Sequence, residues 1–138
     1  MGKLLLFFAF AAVLSQALSE YYISTEALSF MQAYATCKRN KYTLARERSL
    51  EDSDALNSAI KKAKATTHDF FIGGMYDFTG IFTPVWLWVE DGEEITYDHW
   101  ASGASQTSEC LVRSSLTTGD GYWLSSSCTE SRYFICEY

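Results

Sequence analysis

Four cysteines, Cys37, Cys110, Cys128 and Cys136, follow an opening stretch that reads MGKLLLFFAFAAVLSQALS. That stretch carries one basic side chain, Lys3, an apolar run from Leu4 to Leu14, and small residues at Ala17 and Ser19. This is the pattern of a secretory signal over residues 1–19, cleaved after Ser19, and its apolar core is too short to span a bilayer comfortably. A chain sent to an oxidising compartment with an even number of cysteines is expected to join them in pairs, so two cross-links constrain any fold of residues 20–138. Three pairings are open from the sequence alone. Zinc is the competing use, but the spacings hold no C-x2-C pair, and His68 and His99 are poorly placed to complete a site.

No other stretch approaches the roughly 18 consecutive apolar residues of a transmembrane helix, so no membrane anchor is expected and the product is expected to be extracellular. Residues 20–138 suit one domain with a modest core. Charge is unevenly divided along them. Residues 20–64 hold eight Lys or Arg against six Asp or Glu, a net of +2, and residues 65–138 hold two against eleven, a net of −9. A site in the second half therefore lies in an acidic field, which disfavours nucleic acid, heparin-like and sialylated ligands and tolerates neutral sugars or cationic surfaces.

Ser29 followed by Gln32 forms a capping box before Phe30, Ala33, Tyr34 and Cys37, which recur at helical spacing and predict a helix over 30–39. A second helix starts near Ser49 or Asp52, with Ala55, Leu56, Ala59, Ile60 and Ala63 on one face and Lys61, Lys62 and Lys64 at its negative end. Beyond it, FFIGG, PVWLWVEDGEEITYDHW, ECLVRSSL, GYWLSS and SRYFICEY are short aromatic and β-branched runs that read as strands. Asp91-Gly92 suits a two-residue hairpin turn, and its acidic neighbours Glu90, Glu93 and Glu94 read as a solvated turn. Helices followed by antiparallel strands give an α+β domain with helices packed on sheet.

The order of these landmarks resembles a known family. A helix bearing Cys37, a second helix, FFIGG at 70–74, WLWVEDG at 86–92, Trp100, Cys110, Trp123, Cys128 and FICE at 134–137 together resemble the C-type lectin-like domain over essentially all of residues 20–138. FFIGG stands where the family has W-I-G-L, with Phe71 for the Trp and Gly74 for the Leu, an exchange that bears on packing. The resemblance implies disulfides Cys37–Cys136 and Cys110–Cys128. It also implies a secreted binding protein, not an enzyme, that acts on carbohydrate or a protein surface, often in innate immunity.

Sugar-binding members resemble one another in a calcium site made by Glu-Pro-Asn or Gln-Pro-Asp after the Trp, an acidic residue before the later Cys, and Asn-Asp after a further Trp. Calcium takes six to eight oxygens, and carboxylates offset the cost of removing its water. Here the corresponding positions are Ala104, Ser105 and Gln106, then Ser108, then Leu124 and Ser125. Pro84 is the only proline, and Asn40 and Asn57 are the only asparagines. No metal and no cofactor is expected at that site, because the usual calcium ligands are absent. A rearranged loop using Glu109 and main-chain oxygens is the calcium-dependent alternative.

Eleven of the 27 residues from Ala101 to Ser127 are Ser or Thr. Hydroxyls, an amide and aromatic rings can hold a sugar directly, which makes Gln106, Ser108, Glu109, Tyr122 and Trp123 the candidate ligand contacts. His99 beside Asp98, and His68 beside Asp69, invite an acid–base reading, but sequence neighbours seldom form a productive dyad. Trp86, Trp88 and Trp100 are expected in the core.

Overall fold

The computed structural model describes residues 20–77, 79, 81 and 83–138, so the expected signal segment lies outside the described residues. Strands β1 (Tyr21–Ile23), β2 (Thr43–Leu44), β3 (Phe70–Asp77), β4 (Val85–Trp88), β5 (Cys110–Arg113), β6 (Trp123–Ser126) and β7 (Tyr133–Glu137) surround helices α1 (Phe30–Arg39) and α2 (Leu50–Lys62). The α+β class is as the sequence implies. β1 and β2 are too short to leave a periodic signal, and both are recruited by pairing antiparallel with β7.

Both helices begin where their caps dictate. Ser29 accepts from the Gln32 amide and Gln32 accepts in return from the Ser29 amide, the full reciprocal box. Of the two candidate starts for α2, Ser49 is the cap, its hydroxyl accepting from the Asp52 amide at 3.1 Å. The buried face of α2 differs from the expected one: Ser53, Leu56 and Ile60 are buried, whereas Ala55 and Ala63 are exposed. The helix is turned so that Ser53 and Asn57 meet buried charge, described below.

The strand period of two splits the core. Phe70, Ile72, Leu111 and Ile135 pack on one side with Leu56 and Ile60 of α2 and with Trp86, Trp88 and Trp123. Phe71, Cys110, Val112, Phe134 and Cys136 pack on the other with Phe30, Ala33 and Cys37 of α1. Each strand thus supplies alternate residues to two hydrophobic layers, with the sheet between the two helices.

The disulfides are Cys37–Cys136 and Cys110–Cys128, the pairing the resemblance implies. All four cysteines belong to the α1 side. Helix α1 is held near its C-terminus by Cys37, and at its start by the Phe30 amide donating to the Cys128 carbonyl at 3.0 Å. In the chain-entropy view a loop of sequence separation 99 is worth up to roughly 4.7 kcal/mol, and one of separation 18 roughly 3 kcal/mol.

Two details of the acidic hairpin depart from expectation. Asp91-Gly92 does not form a two-residue turn; the chain spans four residues between the Trp88 amide and the Glu93 carbonyl that it pairs with, at 2.9 Å, and Gly92 takes the positive φ of 71°. Val89 is held back from the turn because its amide donates to the Gly73 carbonyl, extending β4 by one residue. Nor is the turn merely solvated: Lys38 pairs with Glu90 at 3.1 Å and Arg46 with Asp91 at 2.8 Å, fastening it to α1 and to the segment after β2.

The glycine at the family's Leu position has a physical partner. A Cβ on Gly74 would lie 2.5 Å from Leu111 Cδ2 and 2.8 Å from Leu111 Cβ, so Leu111 from β5 already fills that volume. Rotating the Leu111 side chain cannot clear its own Cβ. Gly74→Ala is therefore expected to lower stability by about 1–3 kcal/mol in urea unfolding, the cost of overpacking a close-packed core; a change within experimental error would contradict this packing.

Candidate functional site

Beneath the loops at the β6 end lies buried charge. Arg113 follows Leu111 by two residues on β5 and so faces the α2 side of the sheet, fully buried. Its charge is met by Glu47, from the segment between β2 and α2, which is also fully buried. Glu47 accepts from Arg113 Nε at 3.1 Å and from Trp123 Nε1 at 2.8 Å on one oxygen, and from Ser53 Oγ at 2.6 Å on the other. Arg113 Nη2 donates to Asn57 Oδ1 at 2.6 Å, which explains the rotation of α2. Gly121, at φ +78°, lies against the guanidinium, and a Cβ there would sit 2.6 Å from Nη1.

His99 stands at the edge of this network, its Nε2 3.7 Å from Glu47 Oε2. The ring is stacked between Tyr97, centroids 5.6 Å apart, and Tyr122, 4.7 Å apart. Burial lowers the His99 pKa below the ordinary histidine value; the nearby Glu47 carboxylate pulls upward, and Arg113 pushes down again. Burial prevails because Glu47 is already neutralised by Arg113. Asp98 makes no ion pair with His99 and adds only the smallest upward pull on it; its carboxylate accepts from the Trp100 amide at 3.2 Å. The other neighbouring pair is also separated, since His68 stacks on Tyr133 and Asp69 accepts from the Ser115 amide at 2.7 Å.

Residues 99–101 run beside β6, with the Trp123 amide donating to the His99 carbonyl at 2.8 Å and the Ala101 amide to the Trp123 carbonyl at 3.0 Å. Trp100 packs edge-on to both Trp86 and Trp123, at centroid distances of 5.0 and 5.7 Å. The loop that follows is pinned from below. Trp86 Nε1 donates to the Gln106 carbonyl at 3.1 Å, and Ser125 Oγ donates to the Ser105 carbonyl at 2.6 Å while accepting from the Ser108 amide at 3.4 Å.

These contacts place the five candidate ligand residues in four different settings. Gln106 and Ser108 lie on the pinned loop. Tyr122 is 45% exposed and caps the stack on His99. Glu109 lies apart from them, lining a groove with Phe30, Met31 and Met75. Trp123 is a correction: with no exposed surface and its Nε1 committed to Glu47, it supports the loop and offers nothing to a ligand. Glu47 and Arg113 organise this region and were not found from sequence, because their partners come from segments far apart in the chain; His99 stood out there only beside Asp98, and its charged neighbour is Glu47. The one available signal was a lone Arg inside the apolar strand run ECLVRSSL.

The family model for the lectin C-type domain matches residues 26–138. The chain belongs to the C-type lectin domain family. A tetranectin-like protein from Carcharhinus perezii is 33% identical over 122 residues, covering 86% of this chain and 69% of that one. Human lithostathine superposes with a TM-score of 0.73 at 21% identity, over 87% of this chain and 83% of that one. The carbohydrate-recognition domain of a mouse scavenger receptor C-type lectin gives 0.69 at 26% identity, over 87% of each.

The residues present do not fit the calcium that sugar-binding C-type lectins hold. Ala104 and Leu124 bring no side-chain oxygen, Ser125 is spent as a clip between two backbone groups, and Glu109 lines a separate groove. Among the described residues no cluster of three or more His, Cys, Asp or Glu side chains is arranged to hold a metal ion.

Two outcomes follow. The melting temperature is expected to be the same in chelator and in millimolar calcium, where a site filled to a hundred times its dissociation constant would add roughly 2.7 kcal/mol. Because folded His99 protonates below the ordinary value near 6.5, the unfolded chain binds more protons as pH falls from there, and stability drops toward the folded pKa. Melts of wild type and His99→Gln from pH 8 to pH 5 should therefore diverge only below about pH 6.5, with wild type losing at most about 1.4 kcal/mol more per pH unit; parallel curves would remove His99 from this role.

Proposed function

We propose that this chain is a secreted C-type lectin-like protein that binds neutral glycans, such as those of microbial surfaces, without the family's calcium chemistry. The observation that carries the reading is the Ser125 clip. In place of a metal ligand, a hydroxyl joins the Ser105 carbonyl to the Ser108 amide and orders the loop from within. Ordering that a cation provides elsewhere is supplied here by hydrogen bonds and by the Trp86–Trp100–Trp123 packing beneath.

The contacts available to a sugar are then direct. Tyr122 offers an exposed ring held in place by His99 and Tyr97, so little side-chain entropy remains to be lost on binding. Gln106 and Ser108 supply an amide and a hydroxyl on the pinned loop, and Leu124, two residues beyond Tyr122 and 37% exposed, adds apolar surface. The acidic balance of residues 65–138 argues against sialylated or sulfated sugars. Secretion rests on the sequence pattern of residues 1–19; among the described residues no helix is long and apolar enough to cross a membrane. A protein surface is the other ligand that the Tyr122 and Leu124 pair could accept.

Glycan-array binding of residues 20–138, refolded with both disulfides, tests the reading. Binding to neutral glycans should be equal in calcium and in chelator, and Tyr122→Ala should weaken it about three- to tenfold, equivalent to roughly 0.7–1.4 kcal/mol. Loss of binding on chelation would defeat the calcium-free mechanism, and an unaffected Tyr122→Ala variant would move the site elsewhere.

A further inference from the structure

A groove lies on the α1 side of the sheet, away from the pinned loop. Helix α1 has ten residues and spans about 15 Å, whereas the eight residues of β3 extend about 26 Å, so the helix covers only part of the strand it packs on. Phe30, at the first turn of α1, packs edge-on to Phe71 in β3. Beyond it the sheet continues with Met75, paired in register with Leu87 of β4 and with Cys110 of β5. The uncovered end forms a groove of about 410 Å³ lined by Phe30, Met31, Met75 and Leu87, with Met31 63% exposed at its side. Two of those four side chains are methionines, which adapt their shape to varied apolar partners.

Among the described residues the charged groups of the groove have one sign: Asp77, from the end of β3, and Glu109, immediately before β5, line it, with no Lys or Arg. Several acidic side chains elsewhere are matched, Glu90 by Lys38, Asp91 and Glu137 by Arg46, Glu47 by Arg113, Glu130 by Arg132, while among the described residues others, such as Glu93, Glu94 and Asp120, form no ion pair. Among the described residues neither Asp77 nor Glu109 forms an ion pair. The half of the chain that supplies both carries a net charge of −9.

We propose that this groove docks a cationic amphipathic peptide segment of a partner protein, one that inserts a large apolar side chain between α1 and the β3–β4 face and sets a flanking Lys or Arg against Asp77 and Glu109. The volume falls within the range of small-ligand clefts, roughly 300–1,000 Å³, and suits one or two side chains rather than a whole helix. An anionic membrane surface is disfavoured, because both carboxylates would face negatively charged headgroups. The site is independent of Tyr122 and of glycan binding.

Fluorescence anisotropy tests it with residues 20–138 and a labelled twelve-residue peptide that places Leu at helical spacing among Lys residues. Saturable binding is expected, at least tenfold tighter than for the same peptide with Lys replaced by Glu or with Leu replaced by Ser. The Asp77→Asn, Glu109→Gln double variant should bind the Leu/Lys peptide about tenfold more weakly with an unchanged melting temperature, and Met75→Ser should also weaken it. Tyr122→Ala should leave it unaltered. The proposal is overturned if the Leu/Lys peptide fails to saturate, if the Glu peptide binds as well, or if the double variant binds undiminished, the last placing the contact elsewhere on the acidic surface.

Discussion

A buried carboxylate–guanidinium pair, Glu47 with Arg113, holds the functional end of this molecule together. Each charge alone would be prohibitively costly away from water; together they offset one another, with hydrogen bonds reaching both Glu47 oxygens and Arg113 Nε and Nη2, while Arg113 Nη1 is left without a hydrogen-bond partner among the described residues. Those bonds recruit Ser53 and Asn57 from α2 and Trp123 from β6, and His99 borders the same carboxylate. One ion pair therefore sets the rotation of α2, the burial of Trp123, and the ring against which Tyr122 stacks. Removing either partner would leave the other as an uncompensated buried charge, so the segment after β2 and strand β5 are tied to one another through this pair.

Above this network, the loop from Ala101 to Glu109 is ordered by a different means from that of a metal-binding relative. A bound cation organises a loop by gathering oxygens outward onto itself. Here the polar groups turn inward, with Trp86 bonded to the Gln106 carbonyl and Ser125 bridging Ser105 and Ser108. With Ser125 where sugar-binding relatives carry a carboxylate, the loop's polarity is directed inward, and Tyr122 stays exposed beside it.

The same sheet serves both surfaces because its two faces are occupied by different chemistry. On the α2 side, three tryptophans and the buried charges make a rigid support for the loops. On the α1 side, both disulfides and the helix close most of the face, and the mismatch between helix and strand length leaves its Met75 and Leu87 end open. The cross-links tie α1 and the start of β5 to this side of the sheet.

Much of this was legible in the chain. The capping box at Ser29, the cap at Ser49, the five longer strands and the family landmarks are local or ordered along the sequence, so spacing and period reveal them. The same holds for the missing calcium ligands, since a residue type without an oxygen needs no coordinates to be recognised. What tertiary structure alone decided is which distant residues meet. Glu47 and Arg113 are 66 positions apart, and only Arg113 carries a local hint of burial, its place inside an apolar strand run; Glu109 and Ser108 are adjacent, yet Glu109 lines the α1-side groove while the Ser108 backbone is held by Ser125. Local sequence records the geometry a backbone prefers, but a buried charge finds its partner only when the sheet brings separate segments within hydrogen-bond reach, and that depends on every strand at once.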